Sequence, residues 1–181
     1  MYRLESAGRW QRECALIAGR PLVDPTIFQH EGRWWLAATC ADDGPQHNLH
    51  LWHALDPLGP WTPHANNPVK SDVRSARPAG TPFVSEGVLY RPAQDCSRGY
   101  GRRIALCAIR KLSPTVFEEK LVTYIEPDAH GPLPHGLHTL SAAGEITLLD
   151  GRRDFIDPFK LPKHLLGRLF RRAPRDPGRC D

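Results

Sequence analysis

The sequence predicts an all-β fold, and three observations support that prediction. The 181-residue chain contains 15 glycines and 18 prolines, a turn-rich composition in which long helices cannot dominate. The pattern Phe-x-x-Glu-Gly occurs twice, beginning at Phe28 and at Phe83. In each copy the Glu-Gly pair separates two stretches with apolar residues, which is typical of a strand, a hairpin turn and a second strand. The hydrophobic content of 40% and the charged content of 24% are those of a globular domain.

The spacing of these hairpins indicates a repeating architecture. The second copy follows the first by 55 residues, and a weaker third copy begins at Leu140, 57 residues further along. Repeats of roughly 40–55 residues that are built from short strands are typical of β-propeller blades. The chain has room for two full blades and parts of two others, whereas a closed propeller needs roughly four or more. We therefore predict a partial propeller, with three alternatives: a fragment without its N-terminal blades, a propeller that stays open, or one half of a homodimer that completes the ring.

The individual strands follow from alternating apolar residues between turn signals. Residues 10–18 predict an outer strand, and residues 48–55 predict the third strand of the first full blade. Residues 103–112 and 115–125 predict the third and fourth strands of the next blade, and residues 155–172 predict a short helix with a basic face. The resulting division is: 1–20, the outer strand of an incomplete preceding blade; 21–72, a blade; 73–128, a blade; 129–156, the start of a further blade; 157–181, a basic tail that is helical or disordered.

Charge and cysteine content narrow the class of protein. Residues 160–181 carry a net charge of +5, and the remainder of the chain carries −1. Because the predicted folded part has no basic stripe, we expect no nucleic-acid partner. The basic tail is either solvated or in contact with an anionic membrane surface. Five cysteines without paired spacing, behind an N-terminus that does not resemble a signal peptide, predict reduced thiols and a cytoplasmic location.

Several segments resemble a known family of proteins. Asp24-Pro25-Thr26, followed by Gly32-Arg33-Trp34-Trp35-Leu36, resembles the blade openings of the five-bladed arabinanase/levansucrase/invertase-like glycosidases. More specific segments are Leu58-Gly59-Pro60-Trp61, residues 64–69, Arg77-Pro78-Ala79-Gly80, residues 89–97 and His138-Thr139-Leu140. Together they resemble the propeller domain at the N-terminus of glucosamine inositolphosphorylceramide transferases, over about residues 8–155 and in its later blades. The resemblance implies about half of a five-bladed-type propeller and a carbohydrate-related function. In the plant transferases, sugar transfer is attributed to a separate glycosyltransferase domain.

Asp24 is the candidate catalytic residue. Glycoside hydrolysis uses two carboxylates that flank the scissile bond. Asp24 opens a predicted innermost strand, where the mouth of a propeller's central tunnel lies. The alternative is that Asp24 caps the turn before Pro25, which is a common structural role for aspartate. The second carboxylate is not identifiable from the sequence, whereas Glu31 and Glu86 are expected to be exposed turn residues.

Further polar residues are predicted to contact the ligand. They are Arg77, Arg91, Gln94, Asp95 and His138. Planar donors and acceptors of this kind suit the adjacent hydroxyl groups of a sugar. An alternative for Asp95 is a structural pair with an arginine at a turn between blades. We predict no cofactor and no metal: His47, His50 and His53 are evenly spaced, but on a strand His50 faces away from the other two.

The sequence thus favours a glycosidase-like, carbohydrate-active domain that acts on or binds a sugar or glycoconjugate. Two alternatives belong to other classes. One is a non-catalytic module for sugar binding or scaffolding, and the other is a truncated, inactive remnant of a larger propeller protein. If the chain is an enzyme, the sequence predicts a glycoside hydrolase-like or glycosyltransferase-associated domain, whereas neither alternative is an enzyme.

Overall fold

Short antiparallel strands joined by tight turns build the fold in the computed structural model, which describes residues 1–5, 8–143 and 145–155. The regular elements of these residues are all β-strands, so the predicted all-β class is confirmed. No helix in this part of the chain is long and apolar enough to cross a membrane. In chain order the strands are β1 Tyr2–Leu4, β2 Trp10–Arg12, β3 Leu22–His30, β4 Arg33–Cys40, β5 Asn48–Ala54, β6 Thr62–Pro63, β7 Lys70–Ser71, β8 Phe83–Ser85, β9 Val88–Asp95, β10 Arg103–Leu112, β11 Phe117–Ile125, β12 Gly136–Ala143 and β13 Ile146–Arg152.

The strands form two larger antiparallel sheets and two hairpins. The first sheet has the order β3-β4-β5-β6, with β7 paired to the other end of β5, and the second has the order β8-β9-β10-β11. Strands β1 and β2 form a hairpin at the N-terminal end, and β12 and β13 form another after the second sheet. Apart from β7, which pairs with β5, each strand of the two sheets pairs with a neighbour in sequence, because short turns favour neighbouring antiparallel strands.

The two repeated Glu-Gly pairs form equivalent turns. Glu31 and Gly32 connect β3 to β4 with φ values of 48° and 72°, and Glu86 and Gly87 connect β8 to β9 with φ values of 49° and 74°. Two consecutive residues with positive φ are the requirement of a two-residue type I′ hairpin, whose twist matches that of the flanking strands. The hairpins predicted from the repeat are therefore confirmed.

Three apolar layers hold the sheets together. The largest lies between the two sheets and contains Trp35, Leu49 and Leu51 from the first sheet with Leu89 and Ile109 from the second. A second layer covers the opposite face of the first sheet, and a third joins the second sheet to the β12–β13 hairpin. Strand β5 is consequently buried on both faces, since it contributes to the first layer and the second.

Of two predictions about the chain ends, one is wrong in length and the other lies almost entirely outside the described residues. The outer strand predicted over residues 10–18 is only three residues long, and β2 pairs with β1 rather than with a neighbouring sheet. The reason is that Leu16 and Ile17 leave the strand direction and pack against the second apolar layer. The helix predicted over residues 155–172 lies, apart from Phe155, outside the described residues, as does the rest of the basic tail.

Candidate ligand-binding site

Asp24 occupies an irregular position near the start of β3. The pairing of β3 with β4 shifts register between Val23 and Thr26, so Asp24 and Pro25 form a β-bulge. Asp24 has a φ of 50°, a left-handed conformation that aspartate tolerates better than most residues. Bulges redirect side chains and are frequent beside functional sites. The Asp24 side chain keeps 31% of its surface exposed and reaches the segment that precedes β8.

Two segments that are distant in sequence converge on the Asp24 carboxylate. Its Oδ2 accepts hydrogen bonds from Nε of Arg77 at 2.7 Å and from Nε2 of Gln94 at 2.8 Å. Gln94 is fully buried near the end of β9 and also donates to the carbonyl of Pro78 at 2.9 Å. A longer contact of 3.4 Å joins Nη1 of Arg77 to the carbonyl of Pro45. The structure therefore brings together three residues that the sequence nominated separately, from β3, β9 and the β7–β8 connection.

These contacts leave polar atoms of the cluster available. Both hydrogen bonds go to Oδ2 of Asp24, and no described residue donates to Oδ1. Nη2 of Arg77 likewise has no acceptor among the described residues. A carboxylate oxygen beside a guanidinium N–H offers one acceptor and one donor to a ligand, which matches two adjacent hydroxyl groups.

An aromatic and histidine group extends the cluster on one side. The guanidinium carbon of Arg77 lies 4.6 Å from the centre of the Tyr100 ring. The hydroxyl of Tyr100 is hydrogen-bonded to Nε2 of His138, and Nδ1 of His138 lies 3.1 Å from Oδ2 of Asp150. Burial and the negative charge of Asp24 raise the pKa of Tyr100 above its usual value. His138 is thus in the same network as Asp24, whereas the sequence analysis missed Tyr100 and Asp150.

His138 also lies on a β-bulge. The pairing of β12 with β13 shifts register between Leu137 and Thr139, so His138 has no partner in the ladder. Asp150 is paired with Thr139 and therefore lies directly beside His138 across the hairpin. The two bulges, at Asp24 and at His138, redirect two of the side chains that the sequence nominated as site residues.

Arg91 occupies a different position from the one its predicted role suggests. Its side chain is 1% exposed, and it donates from Nε and Nη2 to Glu119 of β11 at 2.8 Å and 2.6 Å. Nη2 and Nη1 also donate to the carbonyls of Ser75 and Ala76. Lys70 completes the group at 2.7 Å from Glu119. In this structure a ligand can reach the Arg91 guanidinium only if this buried ion pair opens.

Asp95 forms a separate cluster at the end of β9. Its oxygens accept hydrogen bonds from the backbone and hydroxyl of Ser97 and from Nε of Arg103. Burial acts to raise the pKa of Asp95, but the Ser97 hydrogen bonds and the Arg103 charge outweigh it and hold the pKa below its usual value. Arg103 in turn lies 3.5 Å from the centre of the Tyr124 ring. The arrangement corresponds to the arginine–aspartate pair that the sequence analysis kept as an alternative.

A cavity elsewhere on the first sheet is a weaker candidate. It has a volume of about 300 Å³ and is lined in part by Arg33, His53 and Asp56. One contact of 3.3 Å joins Arg33 to His53, and Asp56 accepts the backbone N–H of Leu58 at 2.8 Å. Because Asp24 instead joins side chains that are distant in sequence through two short hydrogen bonds, we place the candidate site at Asp24.

The fold and the site together define a class of protein. It is an all-β domain of stacked antiparallel sheets, in which a partly exposed carboxylate is held by a guanidinium and a buried amide at the ends of neighbouring strands. Comparison with known sequences gives the family within that class. The chain belongs to the family described as glucosamine inositolphosphorylceramide transferase 1, N-terminal, which matches residues 2–131. The resemblance noted in the sequence is thereby confirmed.

Curated relatives cover much more than this chain. The chain is 36% identical over 158 residues to glucosamine inositolphosphorylceramide transferase 1 of Oryza sativa subsp. japonica, covering 80% of this chain and 21% of the relative. The protein of the same name from Arabidopsis thaliana is 40% identical over 120 residues, covering 64% of this chain and 16% of the relative. The chain therefore spans about one fifth of the length of the curated relatives it matches.

Among solved structures, two glycoside hydrolases are similar to part of the chain. A family 117 enzyme from the marine bacterium Zobellia galactanivorans has a TM-score of 0.45 and 19% identity, over 64% of this chain and 38% of that one. A thermostable family 43 enzyme has a TM-score of 0.37 and 20% identity, over 57% of this chain and 33% of that one.

Proposed function

We propose that the Asp24 cluster is the carbohydrate site of a partial β-propeller, and that it binds or acts on a sugar or glycoconjugate. The observation that carries the proposal is the convergence of Asp24, Arg77 and Gln94 from three segments on one carboxylate oxygen. The other carboxylate oxygen is left for a ligand. The family relationship supports a carbohydrate-related role, because the relatives are named glucosamine inositolphosphorylceramide transferases and glucosamine is a sugar.

The propeller architecture is part of the proposal. We infer that the two larger sheets are consecutive blades of a five-bladed-type propeller, since they pack face to face and share the same hairpin repeat. The β12–β13 hairpin then begins a further blade. Its strand β13 is exposed along most of its length, with Ile146 and Leu148 among the exposed apolar residues. Such a surface is compatible with a missing blade or with a second copy of the chain.

Binding without turnover is the second candidate function. Asp24 is held by two strong hydrogen bonds, which orient it well for accepting a hydroxyl proton in a hydrogen bond. Hydrolysis by the usual route needs a second carboxyl group beside the scissile bond. The nearest acidic partner that the network reaches from Asp24 is Asp150, which contacts His138 rather than the cluster itself.

The substitution Asp24→Asn tests the proposal. It keeps the shape of the side chain but removes the charge that holds Arg77 and would accept sugar hydroxyls. We expect affinity for the sugar bound by the wild-type protein to fall about tenfold or more, in line with the loss of a charge-assisted hydrogen bond. The ligands are methyl glycosides of glucose, galactose, mannose and N-acetylglucosamine, measured by ligand-observed NMR. The corresponding p-nitrophenyl glycosides report any hydrolysis.

A matched control is the substitution Asp42→Asn, which makes the same charge change at an exposed residue. We expect this variant to bind as the wild type does. Equal affinities for the wild type, Asp42→Asn and Asp24→Asn would contradict a ligand site at Asp24. Sugar binding that depends on Asp24 without any release of p-nitrophenol would identify the non-catalytic module.

A further inference from the structure

Tyr100, His138 and Asp150 form a linear series of polar groups beside the candidate site. The Asp150 carboxylate lies 3.1 Å from Nδ1 of His138, and Nε2 on the other side of the ring contacts the Tyr100 hydroxyl. A carboxylate at Nδ1 favours the tautomer with the proton on that nitrogen. Nε2 then carries a lone pair that points to the phenol and accepts its proton in the hydrogen bond.

The series ends at a group that a ligand can reach. The residue Tyr100 is 42% exposed, and its ring lies against the Arg77 guanidinium that pairs with Asp24. In many enzymes, irrespective of fold, a histidine activates a nucleophilic hydroxyl by accepting its proton. A carboxylate that contacts the other ring nitrogen orients this histidine. The same arrangement here has tyrosine in the place of the nucleophile.

We propose that Tyr100 is an activated hydroxyl of the candidate site, with His138 as the base that takes its proton and Asp150 as a positioning residue. This inference rests on the proposed carbohydrate function for its biological meaning. The Tyr100 oxygen would form a bond to an electrophilic carbon of the ligand while the bond from that carbon to the leaving oxygen breaks. The phenol proton passes to Nε2 of His138 and then to the leaving oxygen. Attack by water, with the proton transfers reversed, releases the product and restores the phenol.

Tyr100 needs His138 as a base because the phenol must lose its proton when its oxygen attacks. Burial and the charge of Asp24 raise the pKa of Tyr100, so a smaller fraction of its hydroxyl is ionised at a given pH than in an ordinary tyrosine. Without a base, Tyr100 is therefore expected to be a weaker nucleophile than an ordinary exposed tyrosine. The chain contains such a tyrosine, since Tyr2 is 63% exposed.

The test uses an electrophile, so it does not depend on knowing the sugar. Phenylmethylsulfonyl fluoride sulfonylates tyrosine: the phenol oxygen bonds to sulfur, fluoride leaves, and the proton goes to a base. We expect Tyr100 to be sulfonylated at least about tenfold faster than Tyr2, because a positioned general base contributes roughly 100-fold or more to such steps. Peptide mass spectrometry gives the rate at each tyrosine of the same sample.

Variants test whether the fast sulfonylation of Tyr100 depends on His138 and Asp150. His138→Gln and Asp150→Asn are expected to lower the Tyr100 rate to that of Tyr2 or below, with Tyr2 unchanged as the internal reference. Asp42→Asn makes the same charge change as Asp150→Asn at an exposed residue outside the series, and it is expected to leave the Tyr100 rate unchanged. Circular dichroism of each variant verifies that the fold is retained.

A spectroscopic measurement separates positioning by Asp150 from a general structural effect. The ¹⁵N shifts of His138, assigned by their loss in His138→Gln, are expected to show the Nδ1-protonated tautomer in the wild type and a loss of that preference in Asp150→Asn. The proposal is overturned if Tyr100 reacts no faster than Tyr2, or if His138→Gln leaves its rate unchanged. Either result leaves sugar binding at Asp24 untouched, so the two proposals fail separately.

Discussion

Replacing Arg91 by methionine is expected to lower the free energy of unfolding by about 3–5 kcal/mol, the usual cost of removing one partner from a buried ion pair. Arg91 and Glu119 are 1% and 3% exposed, and two hydrogen bonds join them across β9, β10 and β11. Methionine retains the apolar volume but leaves the Glu119 carboxylate buried with Lys70 as its remaining cationic partner. Urea unfolding followed by circular dichroism measures the change.

The same sheet provides a matched control. Lys111 and Glu118 form an ion pair at 2.8 Å between β10 and β11, but their side chains are 64% and 52% exposed. Exposed pairs contribute roughly 0–1 kcal/mol, so Lys111→Met is expected to change stability by less than about 1 kcal/mol. Equal effects of Arg91→Met and Lys111→Met would contradict a structural role for the buried pair.

The Arg91–Glu119 pair also predicts the direction of a pH effect. Burial acts to raise the pKa of Glu119, but the charges of Arg91 and Lys70 outweigh it and lower the pKa below its usual value. A carboxyl group with a lowered pKa in the folded state stabilises the fold above its unfolded pKa, and this contribution is lost as the pH falls through the folded pKa. We therefore expect the wild type to lose stability in acid, and Arg91→Met to show a smaller loss from Glu119.

Replacing Gly80 by alanine is expected to detach the β12–β13 hairpin or to destabilise the protein by about 3 kcal/mol or more. Gly80 has a φ of 120°, a conformation that residues with a Cβ atom rarely adopt. A Cβ atom at this position would lie 2.0 Å from the backbone oxygen of Leu140. The neighbouring Ala79 carbonyl accepts the Leu140 N–H at 2.7 Å, so the backbone cannot simply move away.

A substitution at a second glycine distinguishes the cost of the steric clash from the cost of the backbone conformation. Gly87 also has a positive φ, of 74°, but an added Cβ atom would meet nothing within 4 Å. Gly87→Ala is therefore expected to cost only about 1–2 kcal/mol, the penalty for the left-handed conformation. Urea unfolding gives both costs, and hydrogen exchange at the Leu140 amide reports whether β12 has separated. An equal cost for the two substitutions would show that the close approach at Gly80 is unimportant.

Much of the fold could be predicted from the sequence because its determinants are local. The Glu-Gly turns and the apolar alternation of β5 and β10 are local features, so a short window of sequence contains the necessary information. The outer strand near Trp10 was wrong in length because its continuation depends on packing. Leu16 and Ile17 pack against the second apolar layer, and no local sequence pattern shows which sheet they will contact.

The site was less predictable because its geometry is long-range. Asp24, Arg77 and Gln94 were candidates by residue type, but their convergence arises only when two sheets stack and a bulge redirects Asp24. Tyr100 and Asp150 were missed because their meeting with His138 depends on one register shift in the β12–β13 hairpin. A single-residue change of register reverses the face of every following side chain, and sequence patterns seldom fix it.

Arg91 and Asp95 were nominated as ligand contacts, whereas the structure places both in ion pairs within the sheet. Both are polar residues on β9 near a predicted ligand site, and their partners Glu119 and Arg103 belong to other strands of the same sheet. From residue type alone, a buried charge held by a neighbouring strand resembles one that faces a ligand. The distinction depends on which face of β9 each residue occupies and on what lies across the sheet. Their predicted contacts with a sugar remain predictions.

The most direct test of the central claim is to locate the bound sugar. We would titrate ¹⁵N-labelled protein with the four methyl glycosides and map the amide shift changes onto the structure. If the sugar binds at Asp24, the largest changes fall on residues of the Asp24 cluster, including Arg77, Gln94 and Tyr100, for at least one glycoside. Changes confined to another surface, such as the cavity beside His53, or no changes with any of the four sugars, would contradict a carbohydrate site at Asp24.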